Sequence, residues 1–331
     1  MVGRTKKFQR NENLENLLGE LNGLLEPVEN GLLHRYKEPK HPLLFLVGCA
    51  RSGTTIMMQW LADTGEFAYP TNFLSRFYAA PYVGAKIQRM LADPKYNFRD
   101  EFADFGAPMN FNSDLGKTQG VLSPNEFFYF WRRFFNYGEI QKLDESALSK
   151  VDNQTFCAEL AAIEDALGKP LAMKGLIINW NIHFVHRLLP RAVFVYIKRD
   201  PVYNAQSLIL AREKFFGSRN HWYSFKPPEY PALENQDPYK QVAGQVYFTN
   251  LAIEQGLSRI DGGNHLTVSY EEFCGNPGKT YEIIREKLAL HGCKVTENYH
   301  GPRQFVSTND MRIERENFEL IRKSYEEFAR A

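Results

Sequence analysis

One run of residues predicts the architecture of this chain: Leu43-Leu44-Phe45-Leu46-Val47-Gly48-Cys49-Ala50-Arg51-Ser52-Gly53-Thr54-Thr55. Its first part is continuously apolar and ends at a glycine, which is typical of a short strand buried on both faces. From Thr54 onward the apolar residues have helical spacing as far as Gly65. The run therefore predicts a strand, a glycine-bounded loop and a helix.

The loop between Gly48 and Gly53 has the composition of an anion site. Backbone N–H groups at the start of a helix converge on an anion, and the helix dipole favours negative charge there. The hydroxyls of Thr54 and Thr55 add further donors. These features predict a nucleotide-phosphate site, and the alternative is a tight strand-to-helix turn without a ligand.

The same loop departs from the Walker A motif of ATP-binding proteins. That motif has a lysine directly after its second glycine, and this chain has Thr54 there. The cation of the loop is Arg51, which lies before Gly53 instead of after it. This placement disfavours ATP and suits a donor whose bridging oxygen must be stabilised as the leaving group departs.

Further strands and helices alternate along the chain. We predict strands at 171–174, 192–197 and 265–270, and helices at 183–189, from Pro201, at 239–258 and at 277–288. Alternating strands and helices imply a parallel sheet covered on both faces, with ligands at the carboxyl ends of its strands. The predicted fold class is α/β, a P-loop-like three-layer fold whose central, mostly parallel sheet is flanked by helices.

The domain organisation follows from composition. Residues 1–40 form a predicted N-terminal helical extension, whose leucines between 14 and 25 favour packing on the main body over binding a partner. Residues 41–331 form a single predicted domain. It has aromatic or proline-rich insertions near 95–137 and 217–238, which are expected to lie over the sheet.

The charge balance, the length of the apolar runs and the spacing of the cysteines disfavour several classes of function. The 40 Lys and Arg residues nearly cancel the 39 Asp and Glu residues, which disfavours a nucleic-acid partner. No apolar run has the length of a membrane span or a signal sequence. The four cysteines are scattered without zinc-ligand spacing. We therefore expect a cytoplasmic protein without a structural or catalytic metal.

The segment Cys49–Thr55 resembles the 5′-phosphosulfate loop of sulfotransferases that use 3′-phosphoadenosine 5′-phosphosulfate (PAPS). The likeness is to the Arg-Ser-Gly-Thr-Thr form of tyrosylprotein-type and bacterial members. The resemblance implies that Arg51 binds the 5′-phosphosulfate and acts in catalysis by stabilising the bridging oxygen. It also implies that the phosphate is cradled by Ser52, Gly53, Thr54 and Thr55.

Two later motifs are similar to the same family. Arg199 follows the 192–197 strand and Ser207 lies eight residues later, as in the family's 3′-phosphate site; alone, Arg-Asp-Pro would indicate a salt-bridged helix start. Tyr270 ends the last strand, where the family has a tyrosine against the adenine. A packed strand-end tyrosine is the alternative for Tyr270.

The catalytic residues beyond the loop are less defined. The resemblance implies that Lys174 lies beside the transferring sulfuryl group, the alternative being a solvated strand-end lysine. The family's histidine base has no counterpart, because this chain has Leu176 there. Glu126 is our candidate base, provided that its aromatic segment buries it.

Two alternatives to a base at Glu126 stay open. Glu126 could be a helix N-terminal carboxylate paired with Arg132 or Arg133. His183 and His186 are other candidate bases, although their helical spacing indicates packing.

The predicted reaction is transfer of a sulfuryl group from PAPS to a hydroxyl, releasing 3′-phosphoadenosine 5′-phosphate (PAP). The acceptor is expected to be a small-molecule or glycan hydroxyl that the sequence does not identify. Two other functions remain open: a P-loop kinase of a small molecule, and a non-catalytic nucleotide-binding protein of the same fold.

Overall fold

The computed structural model describes residues 3–106 and 108–330. Its strands in chain order are β1 (Leu44–Val47), β2 (Ser113–Asp114), β3 (Lys117–Thr118), β4 (Ala172–Lys174), β5 (Val193–Lys198) and β6 (His265–Ser269). Its first helices are α1 (Glu12–Leu33), α2 (Thr54–Asp63), α3 (Pro81–Ala92), α4 (Phe128–Phe134), α5 (Glu145–Leu148), α6 (Asn153–Leu167) and α7 (Ile182–Leu188). The later helices are α8 (Pro201–Phe216), α9 (Tyr230–Leu233), α10 (Pro238–Leu257), α11 (Tyr270–Gly275), α12 (Pro277–Leu290) and α13 (Arg315–Arg330).

Four strands form one parallel sheet in the order β4-β1-β5-β6. Leu46 in β1 is in register with Lys174 on one side and with Val195 on the other. Lys198 at the end of β5 is in register with Ser269 at the end of β6. The predicted α/β fold with a parallel sheet is therefore confirmed, and each predicted strand begins or ends within one residue of the observed one.

The sheet is covered on both faces because successive side chains of a strand point to opposite sides. Phe45 and Val47 pack in one core with side chains of α4, α6, α7 and α10. Leu44 and Leu46 pack in a second core with side chains of α2 and α12. Every residue of β1 is buried, as its continuous apolar run predicts for a strand with two covered faces.

The N-terminal helix α1 packs on the rest of the molecule through polar as well as apolar groups. Asn22 is buried and accepts from the backbone N–H of Ala79, and buried Glu29 accepts from the backbone N–H groups at the start of α3. Leu17 and Leu24 are exposed. The expectation that the leucines of this helix form its packing face is therefore wrong at those two positions.

The two aromatic segments differ in what they contribute. Within 95–137, the last part enters the first sheet core, where Trp131 packs 5.9 Å from Phe45 between ring centroids. Earlier in the same segment, β2 and β3 form an antiparallel hairpin. The segment 217–238 is mostly irregular and contains the single turn α9.

Two further parts of the chain lie outside the sequence prediction. Helix α13 packs its buried Phe318 and Ile321 in a third cluster with α8 and α10. Before it, an irregular strap over residues 301–312 crosses the carboxyl end of the sheet, where Phe305 donates its backbone N–H to Cys274. The strap carries contacts to the candidate site.

Candidate active site

The carboxyl ends of the four parallel strands bring the predicted residues to one edge of the sheet. The loop 48–53 follows β1, and Lys174 is the last residue of β4. Arg199 follows β5 directly, and Tyr270 follows β6. Parallel strands end at the same edge of a sheet, so the fold itself assembles these side chains.

Close packing fixes the loop 48–53. Gly53 caps α2 with φ of 106°, a conformation that favours glycine. A Cβ at this position would lie 2.5 Å from Cδ2 of Tyr270. The Ser52 hydroxyl in the same loop is buried without a hydrogen-bond partner among the described residues. A buried donor without a partner at a helix N-terminus fits an anion.

Side chains from three elements hold the loop's carbonyl groups. Asn179 Nδ2 donates to the Gly48 carbonyl at 2.9 Å, and Asn204 Nδ2 donates to the Ala50 carbonyl at 2.8 Å. Arg199 donates to the Arg51 carbonyl at 3.1 Å. With the carbonyls held, the loop is ordered before any ligand arrives.

Arg51 and Ser207 connect the two predicted phosphate sites. Arg51 has φ of 71°, which is strained for a residue with a side chain. Its Nε lies 3.3 Å from Oγ of Ser207, three residues after Asn204 on α8. The loop after β1 and the Arg-x7-Ser motif after β5 therefore form one continuous surface.

Arg199 is a buried cation with neutral partners. Its Nε donates to Asn309 Oδ1 at 2.8 Å, and its remaining bonds run to oxygens of Thr308 and to the Arg51 carbonyl. Burial lowers the pKa of Arg199 from its ordinary value, and nearby Arg51 lowers it further. A buried cation whose bonded partners carry no charge favours an anion beside it.

Tyr270 is packed beneath this surface. Its side chain is 4% exposed, its ring lies 4.8 Å from the Arg199 guanidinium, and its hydroxyl lies 3.3 Å from Thr308 Oγ1. Tyr270 thus supports both Gly53 and Arg199. Contact between this ring and an adenine stays a prediction.

Lys174, Thr55 and Glu126 meet at the start of α2. Lys174 Nζ donates to Thr55 Oγ1 at 3.0 Å and to Glu126 Oε1 at 2.6 Å. The Lys174 side chain is 4% exposed, whereas the Glu126 side chain is 48% exposed. The site therefore combines a buried ammonium group with a carboxylate that solvent can reach.

This arrangement corrects two expectations for Glu126. The aromatic segment does not bury the carboxylate, because Phe127 turns into the core and leaves Glu126 at the surface. Its ionic partner is Lys174, whereas Arg133 pairs with Glu159 on α6. Arg132 donates to a backbone carbonyl instead.

The alternative bases lie elsewhere. His183 is exposed on α7. His186 packs its ring 6.4 Å from Phe194, near the amino end of β5 and thus at the far end of that strand from the site. The packing that their helical spacing indicates is therefore present for His186 and absent for His183.

Several residues of the site escaped the sequence prediction. Asn204 lies on the same helix as Ser207 at a spacing of three residues, and this signal could have found it. Asn179, Thr308 and Asn309 come from irregular segments far away in sequence, where no periodic pattern indicates the contact. Among the described residues, no group of three or more His, Cys, Asp or Glu side chains could hold a metal ion.

The described part of the chain contains no helix that is long and apolar enough to cross a membrane.

Comparisons with known proteins find sulfotransferases. Two curated relatives are the omega-hydroxy-beta-dihydromenaquinone-9 sulfotransferases Stf3 of Mycobacterium bovis and Mycobacterium tuberculosis. Each is 22% identical over 265 residues, which cover 75% of this chain. The match spans 63% of the length of these relatives.

Solved structures are similar in fold. Sulfotransferase STF9 from Mycobacterium avium superposes with a TM-score of 0.55 at 14% identity, covering 96% of this chain and 84% of that one. STF1 from Mycobacterium tuberculosis superposes with a TM-score of 0.50 at 12% identity, covering 92% and 81%. The profile of the sulfotransferase family matches residues 42–291, which hold the loop after β1, Lys174, Arg199 and Tyr270, so this chain belongs to the sulfotransferase family.

Proposed function

We propose that this protein transfers a sulfuryl group from PAPS to a hydroxyl of a small-molecule acceptor and releases PAP. The observation that carries the proposal is the contact between Arg51 and Ser207. It joins a phosphate-binding loop to a second anion site around Arg199. A donor with phosphates at its 5′ and 3′ positions needs two such sites, and ATP needs only the first.

The donor site in this proposal uses the residues that the family motifs indicate. Arg51 and the segment Ser52–Thr55 bind the 5′-phosphosulfate. Arg199 and Ser207 bind the 3′-phosphate, and Tyr270 supports the adenine end. The Ser52 hydroxyl has no hydrogen-bond partner among the described residues, and the bonded partners of Arg199 are neutral. A phosphate oxygen gives Ser52 a partner and Arg199 a counter-charge, which supports this assignment.

The chemistry in this proposal depends on three side chains at the start of α2. PAPS supplies a sulfuryl group bonded to a phosphate oxygen that leaves with the electron pair. Arg51 stabilises that leaving oxygen, and Lys174 donates to the sulfuryl oxygens. Glu126 accepts the proton of the acceptor hydroxyl as its oxygen bonds to sulfur.

Glu126 lacks the burial that was expected of a base, and its support as the base is its position: Oε1 lies 2.6 Å from Lys174 Nζ, and an acceptor can reach the 48% exposed side chain from solvent. The curated relatives are named for a hydroxylated menaquinone, which supports a small organic molecule as acceptor. We place the reaction in a reducing compartment such as the cytoplasm, in line with four free cysteines, Cys49, Cys157, Cys274 and Cys293.

A thermal-shift comparison of PAP, ADP and ATP tests the donor assignment. A ligand that binds the folded state alone stabilises it, by about 2.7 kcal/mol at a concentration 100 times its Kd. We expect PAP to raise the melting temperature and ADP to raise it less. Stabilisation by ATP with magnesium, in the absence of a PAP effect, would favour the kinase alternative and overturn the proposal.

A further inference from the structure

The tip of the β2–β3 hairpin lies directly against the three side chains at the start of α2. A Cβ at Gly116 would lie 3.3 Å from Glu126 Oε1, 3.5 Å from Thr55 Oγ1 and 4.0 Å from Lys174 Nζ. The contacts to Thr55 and Lys174 are ordinary van der Waals contacts, whereas the contact to Glu126 would be tighter than that. The missing side chain of Gly116 therefore leaves the space next to the carboxylate open.

The hairpin turn is held in a strained conformation. Leu115 has φ of 49° and Gly116 has φ of 86°. Tight two-residue hairpin turns use such angles, but they favour Asn or Asp before the glycine. A leucine in the left-handed region is strained because its Cβ lies too close to the following carbonyl oxygen. Such strain persists only where surrounding contacts impose it, and it concentrates at functional sites.

Three other strained residues, Arg51, Phe127 and Ser224, adjoin the site or the hairpin. The non-glycine residues with positive φ in the described chain are Arg51, Asp100, Leu115, Phe127 and Ser224. Arg51 is in the loop, Phe127 follows Glu126, and Ser224 follows Tyr223, whose hydroxyl donates to the Leu115 carbonyl at 3.3 Å. Burial raises the pKa of the Tyr223 hydroxyl to about 12, so it stays a donor at neutral pH.

Two lysines from distant parts of the chain tie the hairpin to the molecule. Asp114 in β2 pairs with Lys7 and, at 2.6 Å, with Lys214 near the end of α8. Hydrogen bonds from both lysines lower the pKa of the Asp114 carboxyl, so that it stays charged.

The two segments that carry Lys7 and Lys214 also contact each other. Phe8 is buried and packs 5.0 Å from Phe215 between ring centroids. Thr5 donates its backbone N–H to the Phe215 carbonyl at 2.9 Å. The N-terminal segment and the end of α8 thus form one support for the hairpin.

We propose that the hairpin Ser113–Thr118 is the acceptor-side wall of the reaction centre and that Gly116 determines which hydroxyls can react. This proposal rests on the proposed function. A single added methyl group at Gly116 would already be in tight contact with Glu126, so the carbon that bears the reacting hydroxyl carries no branch and the acceptor is a primary alcohol. Asp114 is a positioning residue that keeps the wall in place through Lys7 and Lys214.

The substitution Gly116→Ala adds one methyl group and tests whether the hairpin limits which alcohols can react. Release of PAP from PAPS is measured in water alone, with benzyl alcohol and with the branched 1-phenylethanol. The wild-type protein is expected to prefer benzyl alcohol to 1-phenylethanol, by on the order of 10-fold or more for one methyl group in a tight site. Gly116→Ala is expected to reduce transfer to benzyl alcohol at least as strongly while the thermal shift with PAP persists.

Gly292→Ala is the matched control. Gly292 has φ of 78°, close to that of Gly116, but a Cβ there would meet no atom within 4 Å. It therefore reproduces the backbone strain without the contact to the site. Unchanged transfer to benzyl alcohol in Gly116→Ala, or equal use of the branched alcohol by the wild-type protein, would overturn the proposal.

The role of Asp114 has a separate readout. Asp114→Asn is expected to speed hydrogen exchange of the amides in 113–118 and to lower the ratio of alcohol transfer to water hydrolysis several-fold. Lys7→Met is expected to act in the same direction, and Asp114→Glu to restore the ratio. Lys6→Met, at an exposed neighbour, is the control. If Asp114→Asn changes neither the hydrogen exchange of the 113–118 amides nor the ratio of alcohol transfer to water hydrolysis, Asp114 has no positioning role. A wild-type protein that PAP does not stabilise contradicts the proposed function instead.

Discussion

At the scale of single residues, the proposed donor site has two arginines whose bonded partners are neutral. Arg199 is 6% exposed and bonds to carbonyl, hydroxyl and amide oxygens. Arg51 bonds to the Ser207 hydroxyl. Removing charge from water is unfavourable unless an opposite charge compensates it, so this pair of arginines favours a ligand with more than one negative group.

Arg51→Ala is expected to lose turnover by on the order of 100-fold or more, because one contact to a developing oxyanion has about that effect. The fold should persist, since the side chain lies at the surface of the loop and not in either sheet core. Steady-state turnover and the melting temperature measure the two effects. Near-normal turnover would exclude Arg51 as the residue that stabilises the leaving oxygen.

Glu126→Gln removes the proposed base and keeps its shape. We expect turnover to fall by on the order of 100-fold or more, with the PAP thermal shift intact. Glu139→Gln is the matched control, because Glu139 is also exposed and paired with a lysine, Lys226, away from the reaction centre. If the pH–rate profile of Glu126→Gln equals that of the wild-type protein, Glu126 is not the base.

The sequence indicates the loop residues and Arg199 because each follows a strand within a local motif. The pairing of Lys174 with Glu126 is different, since it joins two segments 48 residues apart. Neither residue has a pattern that indicates the other, and the nearby arginines are the more obvious local partners. Only the folded chain shows that Arg133 is already bonded to buried Glu159.

At the scale of elements, side chains from neighbouring segments hold the loop after β1 in its bent form. Asn179 is 1% exposed and bonds the Gly48 carbonyl from the turn after β4. Asn204 reaches the Ala50 carbonyl from α8, which begins at Pro201 with Asp200 as its N-cap. The geometry of the donor site therefore depends on three elements at once.

Asn179→Ala is expected to weaken PAP binding about 5- to 10-fold, since a lost hydrogen bond changes free energy by roughly 1 kcal/mol. Titration of PAP by isothermal calorimetry measures the effect. Asn181→Ala is the control: Asn181 is also buried and makes two bonds to the backbone of Leu143. Equal losses of PAP affinity in both variants would mean that Asn179 has no specific effect on the loop.

Strands β1 and β5 were predictable because each is a short apolar run, rich in β-branched or aromatic residues in β5 and ending at a glycine in β1. Helix α6 was not predicted, although Asp152 caps its start and Gly168, with φ of 72°, ends it. Both signals are present in the sequence. The β2–β3 hairpin has only two residues in each strand, which is too short for an alternation of apolar and polar residues to appear.

At the scale of the whole molecule, buried carboxylates join the helices of one sheet face. Glu159 on α6 is fully buried and accepts two bonds from Arg133 on α4. Glu29 on α1 is buried against the start of α3. Burial raises the pKa of Glu159 to about 7, and it also raises the pKa of Glu29.

This predicts how stability depends on pH. A carboxyl whose pKa is higher in the folded than in the unfolded state contributes most to the free energy of unfolding when the pH is below its unfolded-state pKa. That pKa is 4.5 for Glu159. The contribution is lost as the pH rises through about 7. We therefore expect the melting temperature to fall between pH 5 and pH 8, and to fall less in Glu159→Gln.

Asp165→Asn is the control for this measurement. Asp165 lies on the same helix, but its bond to Lys40 lowers the pKa of its carboxyl, so it does not titrate in this range. An identical pH dependence of the melting temperature in the wild-type protein and in Glu159→Gln would contradict the prediction.

The hydrogen bonds to the carbonyl groups of the loop after β1 affect the order in which the donor and the acceptor bind. Since Asn179, Asn204 and Arg199 fix the loop beforehand, the donor does not wait for a conformational change, and its association rate constant should be fast and fall with added salt. The acceptor must instead enter beside a tied hairpin, and its association should be slower and nearly independent of salt. Donor first and acceptor second is then the kinetically preferred sequence.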